Sequence, residues 1–195
     1  MASYSLPTEI TFNDGSQVPI RNQGDFRVVL DCFEILGDME LSQKERLLTC
    51  LIVFFEDMET VDDLNFLPDI EEAVDKMNLF FNCGSDYQDT TPKPKLMDWN
   101  TDSMLIFSAV NNVAGREIRA DEYLHWWSFM GYYMAVGESS LSTVVGIRSK
   151  MAKGKKLEKY ELEFKRNNPQ YFVWDSKSSE QKEADKLARA LWNST

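Results

Sequence analysis

The chain has 195 residues, enough to bury a substantial core, and 43% of them are hydrophobic, with 12 Phe, 7 Tyr and 5 Trp. Its net charge of −11 argues against non-specific nucleic-acid binding, which rests on Lys and Arg displacing phosphate counterions. No stretch approaches the roughly 18 uninterrupted apolar residues of a membrane span, and Met1-Ala2-Ser3-Tyr4-Ser5 has neither a basic n-region nor an apolar h-region. The expectation is a protein without a membrane partner that stays in the compartment where it is made.

Charge is unevenly placed: residues 1–97 carry 7 basic and 19 acidic side chains, whereas residues 98–195 carry 14 and 13. Cys32, Cys50 and Cys83 are odd in number, lack metal-ligand spacing and sit in or beside apolar runs, which points to reduced thiols acting as small hydrophobes.

In chain order, Glu9–Phe12 and Gln17–Ile20 alternate apolar and polar residues around Asn13-Asp14-Gly15-Ser16, so a β-hairpin is predicted, with Pro19 suited to an edge. Two strands alone are marginal in water, so the hairpin must lie on helices or pair with another chain. From Asp25 the period becomes helical through Phe26, Val29, Leu30 and Phe33, with Gly37 as a stop. Ser42 and Glu45 have the spacing of a capping box ahead of Leu47, Leu48, Leu51, Ile52 and Phe55. A third helix is predicted from near Pro68 with Ile70, Val74, Met77 and Phe80 inward. Between Asp38 and Asp75 there are 12 acidic residues against Lys44 and Arg46, which reads as a solvated negative face. This hairpin and its acidic helices make up residues 1–83.

Residues 84–97, with Gly84, Pro92 and Pro94, read as a linker. Beyond them, residues 98–172 divide into a helix starting at Asp98-Trp99-Asn100-Thr101-Asp102, a helix from about Ala120 to Val136, a helix from Ser140 toward Gly154, and a basic helix from Lys155 to Arg166. The helix bearing Tyr123, Leu124, Trp126, Trp127, Met130, Tyr133 and Met134 is apolar nearly all round and is expected at the centre. Residues 173–195 form a tail whose Ala184, Leu187, Ala188 and Leu191 share one stripe. The predicted fold class is mainly α, a multi-helix bundle with a small N-terminal hairpin.

Motifs for chemistry are few. Gly154-Lys155 has Ser149 where a phosphate-cradling loop needs glycine, and neither a dinucleotide fingerprint nor a nucleophile elbow is present. His125 is the only histidine, so paired-imidazole metal sites are excluded. A small helical enzyme using Glu122 and His125 is a minor alternative to a core histidine. Asp62-Asp63 and Glu71-Glu72 lack the loop spacing of a calcium site, and adjacent helix positions do not share a face. The expectation is a protein without cofactor or metal that binds other chains and is not an enzyme. Trp126-Trp127 is its most unusual dipeptide: neighbouring helix positions diverge by about a hundred degrees, so one indole fills the core while the other faces the core or a partner. Trp126, Trp127, Met130, Tyr133, Leu187 and Leu191 are the candidate partner-binding residues. The acidic run and the basic run from Arg148 to Arg166 predict a homo-oligomer joined head to tail.

Met97-Asp98-Trp99-Asn100-Thr101-Asp102-Ser103-Met104-Leu105-Ile106-Phe107, Leu124-His125-Trp126-Trp127-Ser128-Phe129 and Val145-Gly146-Ile147-Arg148 together resemble the phage gene-product-fifteen family. The hairpin leading into Asp25-Phe26-Arg27 is similar to that family's start. Asn111-Asn112-Val113-Ala114-Gly115-Arg116-Glu117-Ile118 departs from it, standing where the family more often has an aromatic and a Gly-Ile-Asp-Leu string. The resemblance implies a tail assembly chaperone of long-tailed phages of Gram-positive hosts, whose gene lies just before that of the tape measure. Such a protein coats the helical tape measure protein, keeps it soluble in the host cytoplasm, recruits the tail tube protein and is absent from the mature virion. The alternative is a structural tail or head-completion protein retained in the virion.

Overall fold

The computed structural model describes residues 5–86 and 94–172. The described chain runs β1 (Glu9–Thr11), β2 (Gln17–Pro19), α1 (Phe26–Gly37), α2 (Gln43–Phe54), α3 (Ile70–Phe81), α4 (Ser103–Ala114), α5 (Trp126–Met134), α6 (Ser140–Ala152) and α7 (Lys159–Asn167). Short 3-10 turns at Arg21–Gly24, Val61–Phe66, Ile118–Ala120 and Pro169–Tyr171 join them. The fold is mainly helical with a two-stranded antiparallel N-terminal hairpin, as the patterning predicts.

The hairpin pairs Ile10 with Val18 and turns at Gly15, whose φ of +88° is open to glycine without a steric penalty. It lies on the helices. Ile10 and Phe12 are buried, the Asn13 amide donates to Glu72 Oε1 at 2.7 Å, and the Ile20 backbone bridges to Phe55. Arg21 fastens this join by donating to the carbonyls of Ile52, Val53 and Phe55, at the end of α2 where helical donors run out, and to that of Met58 in the loop beyond.

Helix α2 starts as its capping box requires: the Glu45 amide donates to Ser42 Oγ, and the Ser42 amide donates to Glu45 Oε2. In α3 the inward residues are Ala73, Met77, Phe80 and Phe81, while Ile70, in the first turn, is exposed and Val74 is half-buried. Three helix starts differ from the sequence-based expectation. The segment from Asp98 to Asp102 is a turn, held by its own Asp98 carboxylate accepting from the Asn100 and Thr101 amides, and α4 begins after it. Residues 121–125 precede α5 instead of belonging to it. Lys155–Glu158 is non-helical, and α7 begins at Lys159, where Glu158 and Glu161 form a capping box.

One buried cluster draws on both halves of the sequence, from Ile10 to Val144. Its centre is aromatic: Phe26 stacks on Phe129 at 5.0 Å, and Phe129 on Trp126 at 5.4 Å. Helix α5 therefore sits between α1 and α4, although Met134 at its end is exposed.

Candidate partner-binding groove

Two helix N-termini meet back to back. Asp25 caps α1, accepting from the Arg27 amide, and its other oxygen accepts from the Leu124 amide at 2.9 Å. The Phe26 amide donates to the Leu124 carbonyl, which makes an isolated antiparallel bridge between Asp25 and His125. These bonds hold Leu124 extended, so the apolar pattern running from Ala120 cannot become helical until Trp126. His125 caps α5 through its ring: Nδ1 accepts from the Trp127 amide at 3.0 Å, which leaves Nε2–H to donate to the Pro7 carbonyl at 3.0 Å. Burial pushes its pKa below the usual histidine value, outweighing the Pro7 hydrogen bond and the nearby Asp25 charge. The imidazole is neutral, and both of its nitrogens are engaged.

The two tryptophans after it share one task. Trp126 Nε1 donates to the Phe81 carbonyl at 3.0 Å and Trp127 Nε1 to the Phe80 carbonyl at 2.9 Å, so consecutive indoles satisfy consecutive carbonyls at the end of α3. Trp126 is 1% exposed and belongs to the core, so it presents no surface to a partner. Trp127 is half-buried, with its indole over Phe80.

A second polar centre lies across the core. Arg148 makes a bidentate pair with Asp102 and also donates to the carbonyls of Leu96 and Tyr171. One guanidinium thus joins α6, the start of α4, the segment before it and the turn after α7. Asp102 in turn accepts from the Asp98 amide, and Lys95 pairs with Asp98 at 2.6 Å. Residues 95–102 are therefore held as a shaped ledge.

That ledge and α1 enclose an open groove of about 900 Å³. Leu30, Phe33 and Leu36 line it from α1, Met97 and Trp99 from the ledge, and Phe107 from α4. Among the described residues the polar edge carries Asp31, Glu34, Asp38 and Asp98, with Lys95 as its cation. Burial, and secondarily the Glu34 charge, raises the pKa of Asp31. Trp99 is rigidly backed, stacking on Phe33 at 5.8 Å and meeting Trp126 edge-on at 5.9 Å.

Of the sequence-derived candidates, Tyr133 supports the groove from behind, packing on Trp99 at 5.2 Å and donating its hydroxyl to Met97 Sδ at 3.0 Å. Met130 is half-buried against the core, and Leu187 and Leu191 lie outside the described residues. Sequence reasoning missed the α1 wall. Its signal was an unpaired apolar face: Leu30 and Phe33 lie three positions apart, with Leu36 continuing the row.

The family model for Bacteriophage Gp15 protein matches residues 14–172. The chain belongs to that family. Neither a curated protein nor a solved structure matches it. Within this Gp15 chain the segments that carry the resemblance fall into place physically. Met97–Phe107 builds the ledge and one groove wall, Leu124–Phe129 caps α3, and Arg148 anchors the ledge from α6.

Proposed function

We propose that this Gp15-family chain is a tail assembly chaperone that binds the tape measure protein through the groove between α1 and the 95–102 ledge. The observation that carries the reading is the groove itself. One of its walls, Met97, Asp98, Trp99 and Phe107, lies within a segment that carries the family resemblance, while α1 supplies the facing apolar wall and most of the acidic edge, and the family match spans both. A space of about 900 Å³ accommodates roughly two turns of an α-helix about 10 Å across. The occupant's apolar stripe would lie on Trp99 and Phe33, with lysines or arginines along the acidic edge. Binding of this kind withdraws apolar stripes of the tape measure from water in the host cytoplasm until tail tube subunits replace the chaperone.

Co-expression of the tape measure protein with the tagged chain tests this. The expected result is soluble, co-purified tape measure with the wild type and its loss with Glu34→Lys/Asp38→Lys, exposed positions whose change leaves the helical circular dichroism intact. A tape measure equally soluble without the chain would overturn the reading. Mass spectrometry of purified virions separates the alternative, because a tail or head-completion protein is found in the particle at fixed copy number.

A further inference from the structure

We infer that a second copy of this chain docks the basic corner formed by α6 and α7 against the acidic surface formed by the Val61–Phe66 turn and α3. The two surfaces are opposite in charge and alike in construction. Asp57–Asp75 contains Asp57, Glu59, Asp62, Asp63, Asp69, Glu71, Glu72 and Asp75 and no basic residue. In its midst Phe66 is 79% exposed and Val61 58% exposed. An aromatic ring left in water among carboxylates is apolar area that association can cover.

The other surface is predominantly basic, with Glu158 and Glu163 as its exposed acids. Lys150 pairs with Glu161 at 2.7 Å, which pins α7 to α6 and consumes the acidic side chain nearest their junction. Lys153, Lys155, Lys156, Lys159 and Arg166 remain exposed around Tyr160, 64% exposed, and Leu162, 54% exposed. Among the described residues no ion pair joins this corner to the acidic surface of the same chain. Nucleic acid is the poorer occupant of the corner, because the chain as a whole carries −11 and would repel phosphate.

Since the two surfaces are different patches, the contact is heterologous and each copy keeps one of each free to continue a ring or filament. Exposed ion pairs contribute little individually, so they set the orientation while Phe66 against Tyr160 and Leu162 supplies the buried area. The inference does not rest on the chaperone reading, and its test contains no tape measure.

Sedimentation velocity of the full chain decides it. Self-association is expected at low salt, weakening at least about tenfold between about 0.05 and 0.5 M salt as the Debye length shrinks and exposed pairs are screened. Asp62→Lys/Asp75→Lys halves the net charge of Asp57–Asp75 from −8 to −4, and Lys156→Glu/Lys159→Glu takes the Arg148–Arg166 run from +5 to +1. Mixed together, the first variant still offers an intact basic corner and the second an intact acidic surface. Each variant alone should sediment as a monomer, while an equimolar mixture should associate again. Phe66→Ser should abolish association without touching charge. A wild type that stays monomeric at high concentration and low salt overturns the inference. So does a reversed variant that assembles like the wild type, or a mixture that stays monomeric.

Discussion

Arg148 and Asp102 face each other inside the fold as a planar fork on a planar fork, Nη1 to Oδ2 at 2.6 Å and Nη2 to Oδ1 at 2.9 Å, with side chains 7% and 0% exposed. The pair is structural in a specific sense, because the guanidinium also holds the carbonyls of Leu96 and Tyr171, which lie 52 and 23 residues away along the chain. Arg148→Met leaves a buried carboxylate and two carbonyls without this donor. Removing one member of such a pair costs about 3–5 kcal/mol. Arg148→Lys should recover little of this, since an ammonium cannot span both oxygens. Urea unfolding measures both, and a Lys variant as stable as the wild type would show that charge alone matters.

The indole donors give a graded prediction. Trp126→Phe and Trp127→Phe each remove one hydrogen bond from the end of α3, at a cost of about 1 kcal/mol, or up to about 3 where the carbonyl is left buried. The Phe80 carbonyl keeps a second donor, the Cys83 amide at 3.0 Å, so the Trp127 variant should be the milder of the two. Trp126→Ala also opens a cavity and should cost about 3–5 kcal/mol. Thermal unfolding ranks the three, and the reverse order for the Phe variants would show that the Phe80 carbonyl depends on the indole.

His125 makes stability pH-dependent with a definite sign. Its folded pKa is depressed, chiefly by burial, so below the ordinary value near 6.5 the unfolded chain binds more protons than the folded one. Its contribution is complete above that value and is lost as pH falls through the folded pKa. Asn caps helices well without titrating, so His125→Asn should flatten this part of the stability profile. A variant that loses stability between pH 7 and 5 as steeply as the wild type would assign that slope to other groups.

What the sequence made legible was local. The Ser42–Glu45 capping box and the turn around Gly15 satisfy backbone groups within four residues, so their residue types suffice to place them. The start of α5 was hidden because Leu124 is held extended by Asp25 and Phe26, 99 and 98 residues earlier, and this tertiary bridge overrides an apolar pattern. Arg148 was read as part of a basic surface because burial is invisible to a count of charges. The groove was half legible: Trp99 and Met97 stand out in sequence, but the α1 wall acquires meaning only when the ledge is folded against it.

The final prediction separates backbone strain from packing at two glycines. Gly15 has φ +88° and Gly24 φ +78°, so an alanine at either is strained by about 1–2 kcal/mol. A Cβ on Gly15 meets nothing within 4 Å, whereas one on Gly24 lies 2.7 Å from Phe80 Cζ and 3.1 Å from His125 Nε2. Neither neighbour yields easily. The Phe80 ring is held edge-on to Phe54 at 5.4 Å, and moving the imidazole breaks its bond to the Pro7 carbonyl. Gly24→Ala should therefore lose more stability than Gly15→Ala by the typical overpacking cost of about 1–3 kcal/mol. It should also shift the His125 ring resonances, which Gly15→Ala leaves in place. Equal losses for the two variants would mean that Phe80 and His125 relax freely, and that the junction of α1, α3 and α5 is looser than its hydrogen bonds require.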